Sequence, residues 1–339
     1  MKKVGFIGCS VPERHFYEKA LPDLDLVFYD ISDDYRGFDK DIRILSVFTN
    51  YNVTADVINH LPRLELIACR STGYNHIDLT LAKKRGVRIA NAPGYGRQAV
   101  AEYVFALLLN LSRKVKLTIE EEDGNDPIDR ARERGFNLFG KTIGIVGLGS
   151  VGQGVAQIAH GFGMNVMAYD PLPDSEFAQR NHVELADDVE TLLKKSDIVT
   201  LHVPFSRQQA HFIDEARLET MKKSAILINT ARGELVDTVA LVTALRNGDI
   251  AGAALDVVED EYLLDPAEFI RFASEEIDEN RALALRHATA ILALERLDNA
   301  IVTNHNAYNT VEAIDEIANM TVENIKGYIS GGKVCEVQI

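Results

Sequence analysis

Three stretches of this sequence hold side chains that could do chemistry together. The first is Gly147-Leu148-Gly149-Ser150-Val151-Gly152, a G-x-G-x-x-G spacing between a β-rich run and a helical one. Gly147 permits a tight turn, Gly149 lets the backbone approach a pyrophosphate, and Gly152 lets the following helix pack close to the strand. Ser150 and Val151 open that helix, whose N-terminal N–H groups and partial positive charge suit phosphate. Asp170 closes the next strand, roughly 20 residues on, where a carboxylate bonds ribose hydroxyls and repels a 2′-phosphate. The cofactor expected here is therefore NAD rather than NADP.

The other two stretches follow later strands. Reduction of a 2-oxo acid by hydride transfer needs a fixed cation for the carboxylate, a proton donor beside the carbonyl oxygen and a group that tunes that donor. Arg232, in Asn229-Thr230-Ala231-Arg232-Gly233-Glu234, offers a guanidinium that can clamp a carboxylate bidentately. His305, in Thr303-Asn304-His305-Asn306-Ala307-Tyr308, offers an acid/base imidazole. Between them lies the acidic run Asp256-Val257-Val258-Glu259-Asp260-Glu261.

These groups need a scaffold that brings strand ends together. Short β-rich runs alternate with helical stretches, which predicts parallel sheets with crossover helices. Strands are expected at Val4–Ile7, Asp25–Tyr29, Ile44–Val47, Leu66–Cys69 and Val87–Ala90. A helix over His76–Arg85 should end at Gly86. Ala99–Ser112 reads as a buried helix, with a domain boundary near Gln98, and the charged stretch 120–134 reads as an excursion. From Lys141 the alternation restarts, with strands at Thr142–Val146, Asn165–Tyr169, Ile198–His202, Ala225–Asn229, Ala251–Leu255 and Ala300–Thr303. Helices fall at Gly152–Gly161, Asp188–Lys195, Glu215–Lys222, Asp237–Asn247 and Val311–Ser330. The acidic, Ala/Leu-rich stretch 261–296 has helical spacing.

Bulk properties narrow the partners. The chain has 339 residues, 46% of them hydrophobic, which suits two α/β domains. A net charge of −15 disfavours nucleic acid and anionic membranes. No run reaches the ~20 apolar residues of a membrane helix. Cys9, Cys69 and Cys335 are scattered, without zinc-type spacing, so reduced thiols in a cytoplasmic protein are expected and no metal site is. His15, His60, His160, His182, His211 and His287 stand in no chemistry-bearing context and read as surface or packing residues.

Taken in order, the motifs resemble the D-isomer-specific 2-hydroxyacid dehydrogenases over nearly the whole chain. The match includes Ser71-Thr72-Gly73-Tyr74-Asn75-His76-Ile77-Asp78-Leu79, Asn91-Ala92-Pro93-Gly94-Tyr95, Val100-Ala101-Glu102 and Gly147–Gly152. It continues through Leu201-His202-Val203-Pro204, Asn229–Gly233, Gly252–Glu261, and His305 with Thr310-x-Glu312. Within the family the chain is most similar to the D-lactate dehydrogenases, whose long helical insert it shares between Glu261 and Ala300.

The resemblance implies that Arg232 binds the substrate carboxylate and that His305 is the general acid in reduction, paired with Glu261, which favours its protonated form. Asp256 would lie near the nicotinamide, with His202, Val203, Pro204, Thr230 and Ala231 flanking the cofactor. Ser71, Thr72, Gly73 and Tyr74 would complete the carboxylate site, and Tyr308 would line the side-chain pocket. It further implies two doubly wound parallel-sheet domains, with a Rossmann NAD-binding domain (100–304) inserted into a flavodoxin-like substrate domain (1–99 and 305–339), and a homodimer. Pyruvate is the expected oxo acid, with glyoxylate, hydroxypyruvate and branched oxo acids open. One departure is Asn304, where the family usually has proline, which leaves that backbone less restrained. An NADH-sensing corepressor-like protein of the same fold is the alternative of a different class. The chain shows no extended disordered or basic tail for such partners.

Overall fold

The computed structural model describes residues 2–121, 133–274 and 278–337. The expected charged excursion lies mostly outside these, at 122–132. Two compact units emerge, Met1–Tyr95 with Asn309–Ile339, and Gly96–Tyr308. The first crossing falls at Gly96 because that residue N-caps a helix, Arg97–Arg113, whose buried face (Ala101, Val104, Leu108) belongs to the second unit's core. The second falls after Tyr308, a few residues past the expected 304, because Asn306 and Ala307 are hydrogen-bonded to Asp256 in the second unit.

In the first unit, β1 (Lys3–Ile7), β2 (Asp25–Tyr29), β3 (Ile42–Val47), β4 (Leu66–Cys69) and β5 (Arg88–Ala90) form one sheet in the order β2-β1-β3-β4-β5. All its pairs are parallel. This is the flavodoxin-like order. Strand residues alternate between two apolar layers, one holding Ile42, Leu45, Ile67 and Ile89, the other Val4, Phe6, Ile44 and Leu66. The second layer is closed by Ala318, Val322 and Ile325 on the helix Val311–Ser330, which is how the end of the chain returns to this unit.

The second unit carries β6 (Thr142–Val146), β7 (Asn165–Tyr169), β8 (Glu184–Leu185), β9 (Ile198–Leu201), β10 (Ile226–Asn229), β11 (Gly252–Leu255) and β12 (Ala300–Val302). Their order is β12-β11-β10-β9-β6-β7-β8, parallel throughout. Chain order reverses between β6 and β9, so the crevice outside the carboxyl ends of those two strands is the ligand position of a doubly wound sheet. Central strands read as continuous apolar runs because helices cover both faces.

Several local signals set element ends. Gly86 and Gly248 close the helices Leu79–Arg85 and Thr238–Asn247 in the left-handed conformation. The helix expected from His76 begins only at Leu79, where the Asp78 carboxylate accepts the Leu81 N–H. The helix Val11–Ala20 was not anticipated, although its capping box, Ser10 with Glu13, is written in the sequence. Within 261–296 the described part is a 3₁₀ turn, Glu261–Leu264, followed by the helices Pro266–Ala273 and Glu279–Glu295. No helix among the described residues is long and apolar enough to cross a membrane.

The cysteines allow a direct check of the packing on the first unit's sheet. Cys9 and Cys69 are buried, and desolvation pushes their thiols up to about 11 and about 12, while Cys335 is half-buried. Since the thiolate is the nucleophile, a thiol reagent at pH 8 should titrate Cys335 quickly in the native protein. All three should react in denaturant. Rapid reaction of all three without denaturant would contradict the burial of β4 and of the β1 exit.

Candidate functional site

The glycine loop leaves β6 at the switch point of the second sheet. Gly147 adopts φ +96°, and a Cβ there would lie 2.7 Å from the His202 carbonyl oxygen and 2.9 Å from Val203. The loop after β6 thus presses on the His202-Val203-Pro204 loop after β9. A Cβ on Gly152 would meet the Gly147 carbonyl at 2.1 Å, so only glycine allows that close helix–strand approach. Above Gly149 there is open space, with nothing within 4 Å of a built Cβ. Gly149 N-caps the helix Ser150–Gly161 without a side-chain cap bond, leaving its first N–H groups available to an anion.

Asp170 sits at the end of β7, half-buried. One carboxylate oxygen accepts the Leu148 N–H at 2.8 Å and the other the Leu172 N–H at 2.9 Å. The acidic residue therefore also fixes the glycine loop from below. Each oxygen keeps a second lone pair for a hydroxyl. His202 bonds Thr200 Oγ1 through Nε2 at 2.9 Å, and burial of its ring pushes its pKa down to about 3. That desolvation favours the neutral imidazole. Thr230 Oγ1 is buried without a hydrogen-bond partner among the described residues. An open cradle at Gly149, an uncapped helix start and an orphaned hydroxyl at Thr230 fit a bound dinucleotide.

Arg232 follows β10. The Asn229 side chain shapes the turn, donating to the Arg232 carbonyl at 2.8 Å and accepting the Ala231 N–H at 3.0 Å. Gly233 lets this turn abut the next strand exit, since a Cβ there would meet the Val258 carbonyl at 2.1 Å. One Nη of the half-buried Arg232 donates to the Ala231 carbonyl at 2.6 Å. No carboxylate among the described residues pairs with it, so the rest of its fork is free for a ligand.

His305 and Glu261 meet: His305 Nδ1 lies 2.9 Å from Glu261 Oε1, with the two side chains 33% and 44% exposed. A carboxylate on Nδ1 fixes the ring orientation and places a proton on that nitrogen, which leaves Nε2 to face a ligand. Tyr308 stands edge-on to the imidazole, ring centroids 6.2 Å apart at 81°. His305 itself has φ +48°, a conformation that costs about 1–3 kcal/mol and must be held by its surroundings.

Asp256 does the holding. It is 1% exposed. Its carboxylate accepts from Thr303 Oγ1 at 2.6 Å, Asn306 N–H at 2.8 Å and Ala307 N–H at 2.9 Å, and its carbonyl accepts the His305 N–H at 2.8 Å. The residue expected beside the nicotinamide thus also binds the loop that carries His305. This bonding replaces the restraint that a proline at Asn304 would give. Sequence reasoning missed the role of Asp256, although an acid directly after the apolar β11 run announces a buried, fully bonded carboxylate.

In the first unit, Ser71, Thr72, Gly73 and Tyr74 follow β4. The turn is locked from within: Ser71 Oγ donates to the Gly73 carbonyl at 2.6 Å and Thr72 Oγ1 to the Ala92 carbonyl at 2.9 Å. Asn91 Nδ2 donates to the Thr72 carbonyl at 2.8 Å.

Comparison with known proteins agrees with this architecture. Residues 105–307 match the sequence model of the D-isomer specific 2-hydroxyacid dehydrogenase NAD binding domain. A 2-hydroxyacid dehydrogenase A of Aspergillus oryzae is 35% identical over 96% of this chain and 92% of its own. A D-lactate dehydrogenase of Curvularia clavata is 35% identical over 93% and 87%. Among solved structures, D-lactate dehydrogenase from Aquifex aeolicus, complexed with NAD and lactic acid, superposes with a TM-score of 0.84 at 33% identity, covering 97% of this chain and 96% of that one.

The Asp256 geometry makes its own prediction. Charge-assisted hydrogen bonds are worth about 1.5–3 kcal/mol each, and Asp256→Ala strands the Asn306 and Ala307 N–H groups. Its melting midpoint should fall by several degrees, with Asp256→Asn intermediate because an amide offers only one acceptor oxygen. An unchanged midpoint in both variants would show that the histidine loop is held by something else.

Proposed function

The chain belongs to the D-isomer-specific 2-hydroxyacid dehydrogenase family, with NAD as its cofactor, and on that premise we propose that it reduces a small 2-oxo acid, pyruvate first, to the D-2-hydroxy acid, with His305 as the acid/base. The observation that carries this reading is the 2.9 Å contact between His305 Nδ1 and Glu261 Oε1 at the carboxyl edge of the same sheet that bears the glycine loop. Bound NADH supplies the hydride to C2.

The chain's own groups do the rest. The free fork of Arg232 clamps the substrate carboxylate and so orients the adjacent carbonyl. His305 gives its Nε2 proton to the carbonyl oxygen as that oxygen gains charge, and recovers one from water afterwards. Glu261 keeps the ring turned for that transfer and stabilises the imidazolium before it donates. Tyr308, beside the ring, bounds the space for the substrate's side chain. The D-lactate dehydrogenase of Aquifex aeolicus holds lactic acid, which supports pyruvate here. Larger or smaller oxo acids differ by pocket contacts of only about 1–3 kcal/mol per methylene. The same reading carries a cytoplasmic homodimer, in whose reducing surroundings the free Cys9, Cys69 and Cys335 are stable.

Arg232→Ala and His305→Ala should each lower kcat/KM for pyruvate with NADH by about 10²–10⁴-fold. Wild-type rates in either variant, across a panel of pyruvate, glyoxylate, hydroxypyruvate and branched oxo acids, would overturn the proposal. Asp170→Ala should narrow the preference for NADH over NADPH, by relieving repulsion of the 2′-phosphate. If the ratio of the two kcat/KM values stays where it was in the wild type, Asp170 is only a brace for the glycine loop.

A further inference from the structure

Three side chains that the sequence leaves far apart converge in the second unit. His211, from the loop after β9, Glu259, just past β11, and His287, on the helix Glu279–Glu295, bring ligand atoms within 4.8 Å of one another. Glu259 Oε1 lies 2.7 Å from His211 Nε2 and 3.7 Å from His287 Nε2. The other ring nitrogens face carboxylates as well: His287 Nδ1 is 2.8 Å from Asp260 Oδ2, and His211 Nδ1 is 3.7 Å from Asp237 Oδ2. Each imidazole therefore turns Nδ1 toward an outer acid and Nε2 inward to the same carboxylate oxygen, which accepts a hydrogen bond from His211 Nε2–H that a bound ion would replace. Zinc-ligating histidines are arranged in this way.

The surroundings agree. Glu259 and His287 are 5% and 6% exposed. Glu259 Oε2 is already taken by the Thr238 N–H at 3.0 Å and Thr238 Oγ1 at 2.7 Å, which aims Oε1 at the two histidines. Among the described residues the cationic partners of this buried carboxylate are those two imidazoles. Three carboxylates, Glu259, Asp260 and Asp237, face the two imidazoles, so the cluster is short of positive charge even with both rings protonated, and a buried carboxylate needs that charge. A divalent cation supplies it in one step.

We propose that His211, Glu259 and His287 bind one Zn²⁺ ion at a structural centre separate from His305 and Glu261. Two histidines and a glutamate are a zinc donor set, with bonds of about 2.0–2.2 Å, so neighbouring donors on a tetrahedral ion stand about 3.3–3.5 Å apart. That spacing falls between the two Glu259–histidine distances, so small side-chain rotations admit the ion. His211, with a side chain 40% exposed, gives the entry path, and water fills the fourth position. Zinc here would fasten the helix Glu279–Glu295 to the β11 exit and to the start of the helix Thr238–Asn247, a task in the helical insert that the dehydrogenase reading leaves unassigned.

The test uses the full chain, stripped with a chelator and titrated with ZnCl₂. The expected result is one Zn²⁺ bound per chain, a melting midpoint that rises with free zinc, and loss of both in His211→Gln and His287→Gln. His305→Gln should keep them, and Asp260→Asn should weaken zinc affinity by about 10–100-fold. Replacement by Co²⁺ in the wild-type chain should give the intense visible bands of a four-coordinate site with imidazole ligands, which needs no variant to fold. The proposal is overturned if the wild type takes up no stoichiometric zinc. It is equally overturned if binding disappears in His305→Gln and survives in His287→Gln, or if the Co²⁺ spectrum is that of an octahedral, oxygen-only site.

Discussion

A single buried carboxylate governs the geometry of the strand edge that carries His305. Asp256 has no cation beside it among its bonded partners; it is held by a hydroxyl and two backbone N–H groups of the loop it organises. Burying a charge costs several kcal/mol unless hydrogen bonds satisfy it, so the loop Thr303–Ala307 and Asp256 stabilise each other or neither. The strained φ of His305 is sustainable only inside that arrangement. With asparagine at 304, the approach to the histidine is held by the acid that follows β11. The backbone around Asn304 is pinned on both sides of the histidine, at Thr303 before it and at Asn306 and Ala307 after it.

The parallel sheet turns that local constraint into a site. Each functional group in the second unit leaves a carboxyl strand end: the glycine loop from β6, Asp170 from β7, His202 from β9, Arg232 from β10, Asp256 and Glu261 from β11, His305 from β12. Close approaches couple neighbouring exits, through Gly147 against His202 and through Gly233 against Val258. Asp170 shows how such a residue serves two ends. Its two oxygens already hold Leu148 and Leu172, so the group that would read the ribose is pre-oriented by the loop that would bind the phosphates.

What the sequence revealed depended on how far apart the cooperating residues lie. Strand runs such as Leu66–Cys69 and Thr142–Val146 were legible to the residue, since a parallel strand buried on both faces is a short apolar run with turn residues at its ends. The glycine loop was legible because its three glycines and the strand and helix around them are contiguous. The two-residue β8 was not, being too short to show any period. Pairing of Glu261 with His305 came only through family resemblance, because 44 residues separate them and nothing in local spacing says which acid of Glu259, Asp260 and Glu261 reaches the ring. The structure sends the three in different directions: Glu259 to His211, Asp260 to His287, Glu261 to His305. Left-handed backbone at Asp260, φ +50°, is what fans them apart. Side-chain direction in an irregular loop has no periodicity to read.

That fanning bears on how so acidic a chain handles an anionic substrate. At physiological ionic strength charges are screened within about 8 Å, so a net charge of −15 matters less than the few groups inside that radius. Four acids near the loop that carries His305 are each bound to something. Asp256 is spent on backbone and hydroxyl donors, Glu259 and Asp260 on histidines, and Glu261 on the Nδ1 side of His305. Arg232 has no carboxylate partner among the described residues. A free carboxylate entering at this edge therefore meets an uncompensated guanidinium rather than the field of the whole chain. The positive character that an anion would meet here arises less from adding cations than from keeping Asp256, Glu259, Asp260 and Glu261 occupied.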